Sequence, residues 1–159
     1  MNIAAPHTLT PAGQAAGSSF YAGMRVLPRP RREAMYAIYA FCRAVDDIAD
    51  DQDGDRAGRA RALESWRADI DALYAGRPAG QAELLREAVA HFALEKVDLH
   101  AVIDGMAMDV AEDIRWPARA TLDLYCDRVA SAVGRLSVKA FGMDKDCLLY
   151  TSPSPRDRG

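Results

Sequence analysis

The chain of 159 residues has the length of one domain, and half of its residues are hydrophobic, which is enough to bury a core and excludes a disordered tail as a whole. A formal charge of −3 and a pI near 5.6 leave no overall basic surface, so no nucleic-acid partner is expected. Cys42, Cys126 and Cys147 are odd in number and lack CxxC spacing, which suggests neither a disulfide framework nor a zinc site and fits a reducing, cytoplasmic compartment.

Residues 1–16 are small and polar, with no charged segment leading into an apolar one, and are expected to form a loose leader rather than a secretory signal. Prolines 28 and 30 suit a helix entrance. From Pro30 onward, Met35, Ile38, Tyr39, Cys42, Val45 and Ala49 recur at three- and four-residue steps, which predicts a helix ending near Gly54. Its apolar run Ala34 to Cys42 is too short to span a bilayer. A second stripe, Leu63, Trp66, Ile70, Leu73 and Tyr74, stops before the turn signals Gly76 and Pro78. A third helix is predicted from Gln81 to Lys96, with Leu84, Leu85, Ala88 and Phe92 on one side. A fourth runs from Asp98 to Asp113, with Leu99, Val102, Ile103, Met106 and Val110, broken by Trp116 and Pro117. The fifth, Ala118 to Phe141, carries Leu122, Tyr125, Val129, Val133 and Leu136.

No useful length alternates in the manner of a strand, so the expected class is all-α, a bundle of about five helices within a domain covering 17–146. Residues 147–159 keep neither the helical period nor a link to the stripe before them and are expected to be a disordered or non-native tail. This tail also resembles the adaptor-derived ends of truncated translated reads, which places the expected cut in the natural chain near residue 146.

The densest chemistry lies in Arg43-Ala-Val-Asp46-Asp47-Ile-Ala-Asp50-Asp51. On a helix Asp46 and Asp50 share one face, and Asp47 and Asp51 pair beside them. Such like-charge pairs each weaken a helix by about a few tenths of a kcal/mol, and carboxylates at a helix C-terminus also oppose the macrodipole. A cation removes both penalties. Mg²⁺ typically takes one or two carboxylates and leaves its other positions to water and substrate phosphate, so the pattern suits a diphosphate enzyme, with Arg43 one turn back as a guanidinium clamp. A solvated acidic helix end running into an acidic loop would give the same spacing. A calcium loop starting at Asp51 fails its register, because Arg56 stands at its sixth position and Ala62 at its twelfth. His7, His91 and His100 lack metal-ligand spacing. Cys42 and Cys126 read as packing residues, and Arg56, Arg59, Arg61 and Arg67 as a solvated face.

Three stretches carry a resemblance: Ser18-Ser-Phe-Tyr-Ala-Gly-Met-Arg-Val-Leu-Pro28, then Ala37-Ile-Tyr-Ala-Phe-Cys-Arg-Ala-Val-Asp-Asp-Ile-Ala-Asp-Asp51, and later Tyr125-Cys-Asp-Arg-Val-Ala-Ser-Ala-Val-Gly134. Together they resemble the squalene and phytoene synthase family over about residues 17 to 144. Asp-Asp-x-x-Asp alone is shared with head-to-tail prenyl diphosphate synthases; the combination is what is specific. Leu99-His-Ala-Val-Ile-Asp104-Gly-Met-Ala-Met-Asp109 further resembles the members that make presqualene diphosphate in bacterial hopanoid pathways.

The resemblance implies an isoprenoid-synthase helical bundle and a Mg²⁺-dependent, head-to-head condensation of two farnesyl diphosphates. It implies Asp46 and Asp50 at the Mg²⁺, Asp47 and Asp51 as supporting acids, and Arg43 and Tyr39 at diphosphate. Gly17, Ser18 and Ser19 would contribute near it, and Phe20, Tyr125, Val129, Val133 and Gly134 would line an apolar channel. Periodicity by itself reads the apolar ones among these as ordinary core. The family's second aspartate-rich motif lies downstream of the Tyr-Cys segment, whereas Asp109, Glu112 and Asp113 precede it and are read either as a polar helix end or as site-facing. The chain as given is therefore expected to bind Mg²⁺-diphosphate weakly and turn over poorly. Rival readings are a phytoene synthase acting on geranylgeranyl diphosphate and a non-catalytic helical interaction module. A very apolar product fits peripheral contact with the inner face of a membrane; the sequence leaves the oligomeric state open.

Overall fold

The computed structural model describes residues 21–51, 53–111, 124 and 127–141. The leader 1–16, Gly17 to Phe20, Tyr125, Cys126, Glu112, Asp113 and the tail 147–159 lie outside them. Among the described residues all regular structure is helical. It comprises α1 (Tyr21–Arg25), α2 (Arg29–Asp50), α3 (Arg56–Tyr74), a 3₁₀ segment (Gly80–Leu85), α4 (Arg86–Phe92), α5 (Lys96–Ala111), a π-helical turn (Asp127–Ser131) and α6 (Ala132–Ala140).

Proline chemistry starts α2: Pro28 is its N-cap, and Pro30 sits in the first turn, where its missing N–H costs nothing. Its apolar stripe buries Ala34, Ile38, Phe41, Val45 and Ala49, and the helix ends at Asp50, short of the expected Gly54. At the start of α3, the Asp55 carboxylate accepts from the Gly58 N–H at 2.6 Å. The same helix closes on Gly76 at φ 73°, with the Arg77 N–H donating to the Ala72 carbonyl at 2.9 Å, a Schellman end that only a residue at ease in the left-handed region completes. Phe41 of α2 meets Trp66 of α3 edge to face, with ring centroids 5.4 Å apart.

The third predicted helix is not continuous. Gly80–Leu85 winds as 3₁₀, α4 stops at Phe92, and Ala93 takes φ 50° before Lys96 opens α5. Tertiary bonds hold this break open. Tyr74 Oη donates to the Leu94 carbonyl at 2.5 Å, and Lys139 Nζ donates to the Ala93 carbonyl at 2.8 Å. The α1 helix was not foreseen. The described part of the fifth predicted helix is helical but contains the π turn.

Helix α5 lies against α2, α3 and α6, and Leu99, Val102, Ile103, Gly105, Met106 and Val110 bury much of its circumference. Asp98, at its start, is buried, its side chain only 4% exposed. It is held by Arg135 Nε of α6 at 2.7 Å, whose own side chain is 40% exposed. Removing the arginine would strand a buried carboxylate. Arg135→Ala is expected to destabilise the chain by about 3 kcal/mol in urea denaturation; a loss below about 1 kcal/mol would show the pair to be dispensable.

Candidate functional site

The α2 helix presents its functional side chains opposite its buried stripe. Tyr39 is half-buried against a small cluster made by Met24 of α1 and Tyr36. One turn on, Arg43 is half-exposed and reaches Asp47 (Nε to Oδ1, 3.3 Å) and, more loosely, Asp46 (Nη1 to Oδ2, 3.8 Å). Exposed pairs of this kind contribute at most about 1 kcal/mol, which leaves the guanidinium free to turn toward another anion.

The four acids divide into two directions. Asp46 is the more sheltered, its side chain 41% exposed against 61% for Asp47. Loss of solvent raises its carboxyl above the ordinary 3.8, the charge of Asp50 adds to the rise, Arg43 opposes it, and Asp47 and Asp109 push it further up. Asp109 belongs to α5, so the helix end that the sequence left ambiguous delivers a carboxylate to the Asp46 side. Asp47 and Asp51 instead line a cleft of about 470 Å³ with Ile48, Gly54, Asp55 and Arg59, between the end of α2 and the start of α3. There Asp51 Oδ1 already accepts from the Asp53 N–H at 3.0 Å, and Arg59 Nη1 donates to the Ala49 carbonyl at 2.9 Å. A larger cavity of about 540 Å³, lined by Arg29, Tyr36, Leu84 and His91 among others, touches none of the four acids.

Among the described residues no three acid, histidine or cysteine side chains gather closely enough to form a complete metal cage. Two carboxylates one turn apart, one of them with raised proton affinity, match the smaller set that Mg²⁺ takes when water and phosphate complete its shell. Asp46 and Asp50 therefore fit that ion. Cys42, beside them, is a packing residue in its chemistry too: burial, then the Asp46 charge, pushes its thiol up to about 12, where thiolate is absent at neutral pH.

Two of the apolar residues expected at a channel lie in the π turn and in α6. Val129 and Val133 pack half-buried against the main core, and no described atom lies within 4 Å of where a Cβ on Gly134 would stand. Val129 is set by Gly105, which the sequence reading missed. A Cβ on Gly105 would overlap Val129 Cγ2 and crowd Arg128 Cβ at 3.4 Å, so the π turn seats directly on the α5 backbone. Gly105 stands one turn before Asp109, which puts this contact next to the acidic face. The available signal was a glycine inside a strong helical stripe, where it costs about 1 kcal/mol against alanine unless something packs on it.

Among the described residues this is an all-helical bundle that carries an acidic helix end with an arginine on α2 and packs half-buried Val129 and Val133 against its core. The chain belongs to the squalene/phytoene synthase family, whose model matches residues 14–152. It is 67% identical over 130 residues to the presqualene diphosphate synthase of Zymomonas mobilis, covering 82% of this chain and 45% of that protein. To the presqualene diphosphate synthase of Rhodopseudomonas palustris it is 57% identical over 140 residues, covering 88% and 50%. A chloroplastic phytoene synthase of an Oncidium hybrid cultivar is more distant, 33% identical over 129 residues, covering 80% and 31%. No solved structure matches the chain. The chain spans about half the length of the presqualene diphosphate synthases it matches.

Two outcomes follow. Because the Asp46 pKa is higher in the folded chain than in the unfolded one, folding favours its protonated form; that stabilisation is complete below 3.8 and is lost as pH climbs through the raised folded value. Asp46→Asn is expected to melt later than the parent at neutral pH without metal, by the equivalent of about 0.3–0.5 kcal/mol, with the difference closing toward acid; earlier melting at neutral pH would refute the crowding. Gly105→Ala should cost about 1–3 kcal/mol, and Val129→Ala added to it should return part of that loss. Two fully additive penalties would mean that the residues do not press on each other.

Proposed function

We propose that this chain contributes the aspartate-bearing half of a site that condenses two farnesyl diphosphates head to head into presqualene diphosphate. The observation that carries the reading is the Asp46–Asp50 pair with Arg43 one turn behind, in a chain 67% and 57% identical to two presqualene diphosphate synthases. Mg²⁺ held by Asp46 and Asp50 would supply Lewis-acid neutralisation of the departing diphosphate.

The chain's own residues would do the rest. Arg43 takes charge on the diphosphate as the C1–O bond breaks and its electron pair leaves with oxygen. The double bond of the second substrate attacks C1, the cyclopropane closes, and the proton lost goes to the diphosphate. Tyr39 offers an aromatic face to the cation, which it stabilises without acting as a base. Val129 and Val133 exclude the water that would quench it. Among the described residues no helix is long and apolar enough to cross a membrane; peripheral contact at the inner face would suit so apolar a product.

The test uses a form extended to the length of the relatives. It is expected to convert farnesyl diphosphate to presqualene diphosphate with Mg²⁺, and Asp46→Ala with Asp50→Ala is expected to lower kcat/KM by roughly a hundredfold or more. An unchanged rate in the double variant would refute the assignment. Preferential condensation of geranylgeranyl diphosphate would move the protein to phytoene synthesis. The absence of any thermal stabilisation by Mg²⁺ with a non-hydrolysable farnesyl diphosphate analogue would favour an interaction module.

A further inference from the structure

The turn joining α1 to α2 breaks two rules of a soluble surface at once. Val26 at its tip is 83% exposed, the most exposed large hydrophobic among the described residues. Close to it in sequence are Arg25, at the end of α1, and Arg29, Arg31 and Arg32, in the first turn of α2, four arginines within eight positions of a chain whose formal charge is −3. The turn is not a loose end. The Leu27 N–H donates to the Met24 carbonyl at 3.2 Å, and Met24 is buried against Tyr36 of α2, so the tip is pinned to the helix behind it.

The charges also oppose their own helix. The first turn of α2 contains no acid, although an N-terminus favours negative charge, and it carries arginines instead. Glu33 answers only Arg29, at 2.9 Å and in an exposed pair. An external anion layer would supply the negative charge that the first turn of α2 lacks.

We propose that residues 25–32 form a docking surface for an anionic bilayer, with Val26 entering the headgroup boundary and Arg29, Arg31 and Arg32 on lipid phosphates. One bare aliphatic side chain falls far short of the area of roughly 800 Å² per partner that a stable protein interface buries. It also lacks an aromatic ring on which a nucleic-acid base could stack. An interfacial lipid layer needs neither property; it needs an apolar residue flanked by cations. Each arginine near such a surface strengthens binding roughly fivefold, while the acidic remainder of the chain opposes it, so the contact is reversible and salt-sensitive.

The experiment uses the 159-residue chain without prenyl substrate, so its outcome is separate from that of the condensation assay. The chain is expected to sediment with vesicles of phosphatidylglycerol and phosphatidylcholine, not with phosphatidylcholine alone. Salt at about 1 M, where the screening length falls to about 3 Å, should release it. Arg31→Glu with Arg32→Glu is expected to weaken binding at least about tenfold with a melting midpoint no lower than that of the parent. In Val26→Trp, the new indole should shift to the blue on anionic vesicles and be quenched by brominated lipid. Equal binding to neutral vesicles, equal binding by a folded charge-reversed variant, or an unquenched indole at position 26 would each overturn the proposal, as would displacement by inorganic phosphate as efficient as by vesicles. Should the charge-reversed variant not fold, the indole reading decides.

Discussion

A carboxylate cluster survives at the C-terminal end of α2 because the opposite face of the same helix is buried. Asp46 and Asp50 repel each other and oppose the helix dipole, effects worth about a few tenths of a kcal/mol each. Ile38, Phe41 and Val45 are almost wholly buried on the other side, and each contributes about 1.5–3 kcal/mol by leaving water. Burial wins by a wide margin. The acids can therefore be held in a crowded, partly dry position whose repulsion a cation can relieve.

That constraint reaches the rest of the bundle through α5. This helix brings Asp109 to the Asp46 side and, one turn earlier, removes a side chain at Gly105 so that the π turn can sit on its backbone. The position of α6 is then set from two further points. Arg135 closes on the buried Asp98, and Lys139 reaches both the Ala93 carbonyl and Glu95, the latter at 3.0 Å. The left-handed Ala93, strained for a residue with a Cβ, is kept by these bonds. Polar contacts at the start of α5 thus tie α6 down, while Gly105 seats the π turn that precedes it.

The α2 helix has 22 residues and is roughly 33 Å long, with arginines at its N-terminal end and aspartates at its C-terminal end. Both ends carry charge of the sign that the dipole disfavours. Local consistency fails at two places on one element, and in proteins such failures gather where external groups bind. The two ends would take ligands of opposite sign, a metal cation at one and lipid phosphates at the other.

Most of the helical layout was legible from periodicity, since stripes such as Leu63, Trp66, Ile70 and Leu73 report a buried face whatever that face meets. The acidic end and its arginine were legible for the same local reason: spacing alone puts residues three or four apart side by side. The break after Phe92 was not, because the left-handed Ala93 depends on Tyr74 and Lys139, distant in sequence. Nor was the division of the four acids, because which face of a helix end stays sheltered depends on what packs across from it, here Asp109 on α5 and the cleft beside α3. Gly105 stood in plain view, but its meaning required Val129 to be placed against it. Local pattern determined the all-α class, most of the buried stripes and the acidic spacing on α2; only the packed chain decided where the third helix breaks, that Asp109 acts on Asp46 and that Val129 seats on Gly105, because those effects belong to residues far apart in the sequence.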